Sequence, residues 1–173
     1  MFLMHTLIVI AKKGFQDKEL AGVRSALLAA NATITLASTE TGACIGKFSS
    51  TEQAEVALRN VEVENYDRVV FIGGPGAEAL SNDSDAQRIA VQTVKAGKVL
   101  GAICITPLIL AKAGLLAGKK ATVWDENGAQ KSILEANGAK YTGQSVTVDG
   151  KIITGNGPEA AEEFGRVFAG LQN

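Results

Sequence analysis

The feature that most constrains this chain is a repeated alternation between short apolar runs and longer stretches with apolar residues spaced three and four apart. Residues 6–11 (TLIVIA), 68–72 (RVVFI) and 99–103 (VLGAI) show no polar–apolar alternation. Strands that read this way are buried on both faces, as in parallel sheets covered by helices. Between them, residues 17–30 place Leu20, Val23, Leu27 and Ala30 on one helix face. Residues 83–96 form a second helical stretch that stops at Gly97. Residues 106–113 carry Pro107 in the first turn, where a missing N–H costs nothing, and Gly114 at the end. Residues 128–136 end at Asn137-Gly138, and residues 158–171 close the chain with Phe164, Val167, Phe168 and Leu171 at i, i+3, i+4 and i+7. Further strands are predicted at 33–37, at 121–124, and at 146–148 and 152–154 around the hairpin signal Asp149-Gly150. Residues 41–58 lack a helical period and read as a loop with one or two small strands. The alternation predicts an α/β fold, a three-layer sandwich with a largely parallel sheet and helices on both faces. With no repeat, low-complexity tract or linker, residues 1–173 read as one domain.

Composition narrows the partners. A formal net charge of -1 argues against nucleic acid or an anionic membrane surface, which call for a basic excess. No apolar run reaches membrane-spanning length, and the first ten residues read as a strand rather than a secretory signal. Two cysteines in 173 residues suit a reducing, cytoplasmic compartment better than a disulfide scaffold. The single histidine, His5, is the one residue a Cys–His or Ser–His pair could use. The usual zinc ligand sets are missing, so no metal is expected.

In an open parallel sheet, ligands bind beyond the carboxyl ends of the strands. That rule selects the loops 12–17, 73–78, 104–106, 124–128 and 155–158, and with them Glu19, Glu78, Cys104, Thr106, Trp124, Asp125 and Asn156. Cys104 stands where strand 99–103 turns into a helix whose first turn holds Pro107. A thiol at such an elbow sits beside unpaired helix N–H groups, which favours thiolate and predicts a lowered pKa. The alternative is a small buried hydrophobe with no chemistry. Gly73-Gly74-Pro75-Gly76 lies between a strand and a helix and could offer N–H groups to an oxyanion, or be a plain tight turn. It matches neither a Walker A loop nor GxGxxG. Cys44, in the irregular stretch, receives no role.

Ala102-Ile103-Cys104-Ile105-Thr106-Pro107, followed by Leu115-Leu116-Ala117-Gly118-Lys119-Lys120-Ala121-Thr122, resembles the cysteine-elbow signature of the ThiJ/PfpI superfamily. Phe71-Ile72-Gly73-Gly74 resembles the glycine pair ending the family's preceding strand. Gly14-Phe15-Gln16-Asp17-Lys18-Glu19 is similar to its first strand–helix turn, and Gly157-Pro158-Glu159-Ala160-Ala161 to the start of its last helix. The resemblance implies a flavodoxin-like sandwich of the class I glutamine amidotransferase type, assembled as a homodimer. It implies Cys104 as the reactive thiol and Glu19 as a buried, protonated acid contacting it. It places Gly74 and the Ile105 amide as oxyanion donors and Trp124 at the pocket border.

The departures from the family pattern shape the functional expectation. The protease-like branch has histidine after the nucleophile, where this chain has Ile105. Glu78 matches that branch's interface acid but has no histidine to orient, and Thr106 replaces a glycine. His5 lies at the amino end of its strand, away from the expected site. Peptidase activity is therefore not expected. The first reading is a cofactor-free glyoxalase or deglycase acting on small reactive aldehydes through Cys104 and Glu19. A redox-sensing or chaperone-like stress protein without turnover, and a histidine-free amidase or hydrolase, remain open beside it. A nucleotide- or flavin-binding module rests on fold analogy alone.

Overall fold

A computed structural model describes residues 3–173. The chain runs β1 (His5–Val9), β2 (Lys13–Phe15), α1 (Asp17–Ala29), β3 (Thr33–Ser38), β4 (Gly42–Gly46), β5 (Thr51–Ala54), β6 (Val56–Ala57) and β7 (Arg68–Phe71). It continues with α2 (Ser84–Lys95), β8 (Val99–Ile103), α3 (Pro107–Lys112), β9 (Lys120–Ala121) and α4 (Ala129–Ala136). It ends with β10 (Lys140–Tyr141), β11 (Val146–Asp149), β12 (Ile152–Gly155) and α5 (Ala161–Gly170). The main sheet has the order β11-β12-β8-β7-β1-β3-β6 and is parallel except for the β11–β12 hairpin. Among the described residues no helix is long and apolar enough to cross a membrane.

The apolar runs become the central strands because both sheet faces are covered. Leu7, Ile8, Val9, Val69, Val70, Phe71, Leu100 and Ile103 are all fully buried. Helix α5 packs on β8 and β12 and against α1, while α2 packs on β7 and β8 and against α3. The aromatic face of α5 needs room on the sheet. Gly101 and Gly155 supply it: a β-carbon at either position would fall 2.8 Å and 2.9 Å from the rings of Phe168 and Phe164. The α1–α5 crossing is equally tight, with a β-carbon on Gly165 falling 2.7 Å from the carbonyl oxygen of Gly22.

Register aligns the strand ends. Val9 faces Phe71, Phe71 faces Ala102, and Ile103 faces Gly155. The chain leaves β1 for β3 on one side and returns to β7 on the other, so the loops after β1 and β7 diverge. A crevice at such a switch point is where this fold class binds ligands.

The structure departs from the sequence expectation in several places, among them the short strands β2 and β10, which were not expected. Residues 41–58 form three strands, of which β4 and β5 make an antiparallel hairpin that joins β2 in a separate three-stranded sheet. Its buried positions are Cys44, Gly46 and Ala54, too small to print a strong apolar alternation. Of the expected strand 121–124 only Ala121 lies in a strand, the two-residue β9. The Thr122 amide donates to the Thr154 hydroxyl at 2.9 Å and the Trp124 amide to the Cys104 carbonyl at 2.8 Å, so neither serves a strand ladder. Residues Pro75–Asn82 wind as a 3-10 helix, and the last helix begins with a 3-10 turn at Pro158–Ala160.

Arg68 fastens the end of the fold. It is 5% exposed, and its guanidinium donates to the carbonyls of Phe168 at 2.6 Å, Ala169 at 3.3 Å and Leu171 at 2.9 Å. A cation there complements the carboxyl end of α5. Arg68→Met leaves these buried carbonyls without donors, and urea unfolding should show a loss of about 3 kcal/mol. A loss below about 1 kcal/mol would mean that water replaces the guanidinium at little cost.

Candidate active site

Cys104 occupies the turn between β8 and α3 with φ +68°, a left-handed conformation that costs a residue bearing a β-carbon about 1–3 kcal/mol. Its neighbours hold it there. The Cys104 amide donates to the Gly155 carbonyl at 2.9 Å, and its own carbonyl accepts from Trp124. The one Thr106 hydroxyl proton is shared between the carbonyls of Ile103 at 2.8 Å and Phe71 at 3.0 Å, which ties the elbow to β7. Thr106 is fully buried and does not line the cleft, so the expectation of a pocket role is corrected to one of holding the turn.

Glu19 reaches the same point from the first turn of α1. It is fully buried, and its Oε1 accepts the Gly73 amide at 2.9 Å. The Cys104 thiol is its other polar neighbour: both side chains lie against Gly73, and each shifts the charge of the other. Oε2 has no well-formed partner among the described residues. Gly73 is what lets the two side chains meet. A β-carbon there would fall on that of Cys104 and 2.8 Å from Glu19 Oε1. Gly73 was expected to offer its N–H to an oxyanion; the structure instead assigns that N–H to Glu19. The amides of Gly74 and Ile105 face the sulfur and draw charge onto it. Gly74 has φ +112° and lies so close to the first loop that a β-carbon would fall on the Gly14 carbonyl.

Above the sulfur lies a cleft of about 250 Å³. Cys104, Ile105 and Gly74 form its floor, and Trp124, which is 37% exposed, stands on one wall with Glu78 also on the lining. Asn156 does not line it: its amide pairs with the Ser145 carbonyl at 2.9 Å, and Pro158 contributes from that loop. Four lining residues escaped the sequence reading, namely Gln16, Lys47, Pro75 and Pro158. Gln16 was within reach, because it precedes the acidic first turn of α1 and accepts the Lys18 amide at 3.1 Å as a helix cap. Lys47 had no local signal, since it arrives on the turn between β4 and β5. His5 sits at the other edge of the sheet beside Thr35 and Tyr66, as expected.

The electrostatics reverse one expectation. The Cys104 thiol is not lowered: burial, and then the Glu19 carboxylate, push it up to about 12 against the pull of the Gly74 and Ile105 amides. Burial also raises Glu19, to about 7, even though its bonds to Gly73 and Cys104 favour the charge. Helix α3 has only six residues, too few for its dipole to offset the desolvation. The two groups titrate as a pair. Near neutrality the thiol keeps its proton and the carboxyl is close to half ionised.

Since the folded chain holds a proton on Glu19 that the unfolded chain releases above 4.5, the contribution to stability is fully present below pH 4.5. It is lost as pH rises through about 7. Glu19→Gln removes the titration, so its stability relative to the native chain should rise by about 3 kcal/mol between pH 4.5 and 8 in urea unfolding. A difference independent of pH would show that Glu19 is not a raised, buried acid.

The chain matches the model of the DJ-1/PfpI family over residues 4–170. The uncharacterized protein MJ0967 of Methanocaldococcus jannaschii is 35% identical over 160 residues, covering 92% of this chain and 78% of that one. Deglycase PH1704 of Pyrococcus horikoshii is 29% identical over 168 residues, with 97% and 99% covered. Glutathione-independent glyoxalase DJR-1.2 of Caenorhabditis elegans is 30% identical over 110 residues, with 64% and 57% covered. A ThiJ/PfpI domain protein from Brachyspira murdochii superposes with a TM-score of 0.92 at 26% identity, covering 98% of this chain and 96% of that one. Motif order, elbow geometry and family match agree, and this chain belongs to the DJ-1/PfpI family.

Proposed function

We propose that this protein is a cofactor-free glyoxalase or deglycase-type enzyme in which Cys104 attacks the carbonyl carbon of a small reactive aldehyde. The observation that carries this reading is the Cys104–Glu19 pair at the floor of a small cleft, with the carboxyl raised to about 7 and the thiol still protonated. A general base works best when its pKa lies near the working pH. Ionised Glu19 takes the thiol proton as the S–C bond forms, so the sulfur needs no standing charge. In this reading the Gly74 and Ile105 amides, which face the sulfur, also meet the oxygen that gains charge. Glu19 passes that proton on to the alkoxide oxygen, and the product of the step is a hemithioacetal.

With an α-oxoaldehyde the remaining steps balance without a redox partner. A base removes the proton from the former aldehyde carbon, giving an enediol. Protonation of the neighbouring carbon turns this into a 2-hydroxyacyl thioester. Water then releases a 2-hydroxy acid and restores the thiol. The relatives named deglycase and glyoxalase support a chemistry of this kind. The redox-sensing alternative calls for a resting thiolate, which burial and the charge of Glu19 oppose. The histidine-free hydrolase alternative lacks an imidazole at the cleft, since the one histidine lies at the far edge of the sheet.

The test is lactate formation from methylglyoxal. Cys104→Ser should abolish it, and Glu19→Gln should lower kcat/KM by about 10²–10⁴-fold, the usual worth of a general base. In the native chain kcat/KM should rise with pH through about 7 as Glu19 ionises. Turnover that survives in Cys104→Ser, or none in the native protein, sinks the reading.

A further inference from the structure

We propose that Lys47 is the anion-recognising residue of the cleft and that the preferred substrates are short aldehydes or α-oxoaldehydes bearing a carboxylate. This deepens the aldehyde reading and rests on it for the reacting group. Lys47 is the one cation on the cleft lining, and no carboxylate among the described residues lies within ion-pairing distance of its Nζ. Two nearby cations are committed elsewhere. Lys12 donates to the Thr41 carbonyl at 2.7 Å, and Lys18 pairs with Glu159 at 3.1 Å.

The backbone that carries Lys47 is built into place. Its amide donates to the Phe15 carbonyl at 2.8 Å. The turn around it is clamped by Asp17, whose carboxylate accepts the amides of Phe48 at 2.8 Å and Ser50 at 3.1 Å, and the Ser50 hydroxyl. These bonds hold the Asp17 carboxyl below its usual range, although its slight burial works the other way. A β-carbon on Gly46 would fall 2.6 Å from the Asp17 carboxyl carbon, so the turn has no slack on that side. The turn thus brings Lys47 to the cleft lining, where its ammonium rests over the exposed ring of Phe48, 5.3 Å from the centroid, a contact it can leave for an anionic ligand.

Size and opposite charge narrow the class. A volume of 250 Å³ equals roughly eight water-sized groups, enough for a chain of three to five carbons. Glu78 also lines the cleft and repels an anion placed beside it. A carboxylate therefore has one oppositely charged partner on the lining, Lys47, which orients the aldehyde end toward Cys104.

The test reads the site without relying on turnover. Cys104 is alkylated in parallel with iodoacetate and iodoacetamide, similar in size and different in charge, and the product is assigned by peptide mass spectrometry. Both reagents attack the same sulfur, so their rate ratio cancels the thiol's ionisation. Lys47→Gln should lower the iodoacetate-to-iodoacetamide ratio by about 3- to 10-fold at low salt. Lys47→Arg should keep it, and 1 M salt should erase the difference. Glu78→Gln should move the ratio the other way. A ratio unchanged in Lys47→Gln overturns the proposal, as does an equal loss in Lys47→Arg. Absence of methylglyoxal turnover with the ratio still dependent on Lys47 would overturn the aldehyde chemistry and leave the anion site standing.

Discussion

The structure turns on the space at Gly73. Its amide fixes one oxygen of Glu19, and its missing side chain leaves the gap in which Cys104 approaches. Everything chemical about the chain follows from that contact. Without it the carboxyl in the first turn of α1 would be a buried acid with no partner. The thiol would then be a strained cysteine facing a small cleft.

The energetics of the pair follow from burial more than from hydrogen bonding. Backbone amides draw charge onto both groups, from Gly73 to the carboxyl and from Gly74 and Ile105 to the sulfur. Desolvation opposes both and prevails. Two anions at that distance would repel strongly, so the pair keeps a proton over a wide pH range. This costs stability in neutral and alkaline solution and leaves a carboxyl poised near neutrality. Buried pairs with displaced pKa values commonly mark functional sites for this reason.

The architecture was legible because burial on both sheet faces removes the polar–apolar alternation from the central strands, as in TLIVIA and VLGAI. The helices were legible from their spacing and glycine stops. Cys104 and Glu19 could be singled out from the elbow sequence and its family resemblance. The small hairpin of β4 and β5 was not legible, since its buried residues are cysteine, glycine and alanine. Thr106 and Asn156 were misplaced because sequence position gives the loop but not the side-chain direction. Thr106 turns inward to satisfy two carbonyls. Lys47 belongs to a turn set by Asp17, some thirty residues earlier, and no local pattern reports a contact of that span.

By itself, the sequence determined the α/β architecture, the edge of the sheet where the cleft opens, and the shortage of histidine that excludes the common triads. These depend on periodicity and composition, which are local properties. The tertiary structure decided the charge states of Cys104 and Glu19, the assignment of the Gly73 amide to the carboxyl, and the presence of Lys47 over the cleft. Each of these depends on desolvation or on contacts between distant segments, and neither exists until the chain is packed.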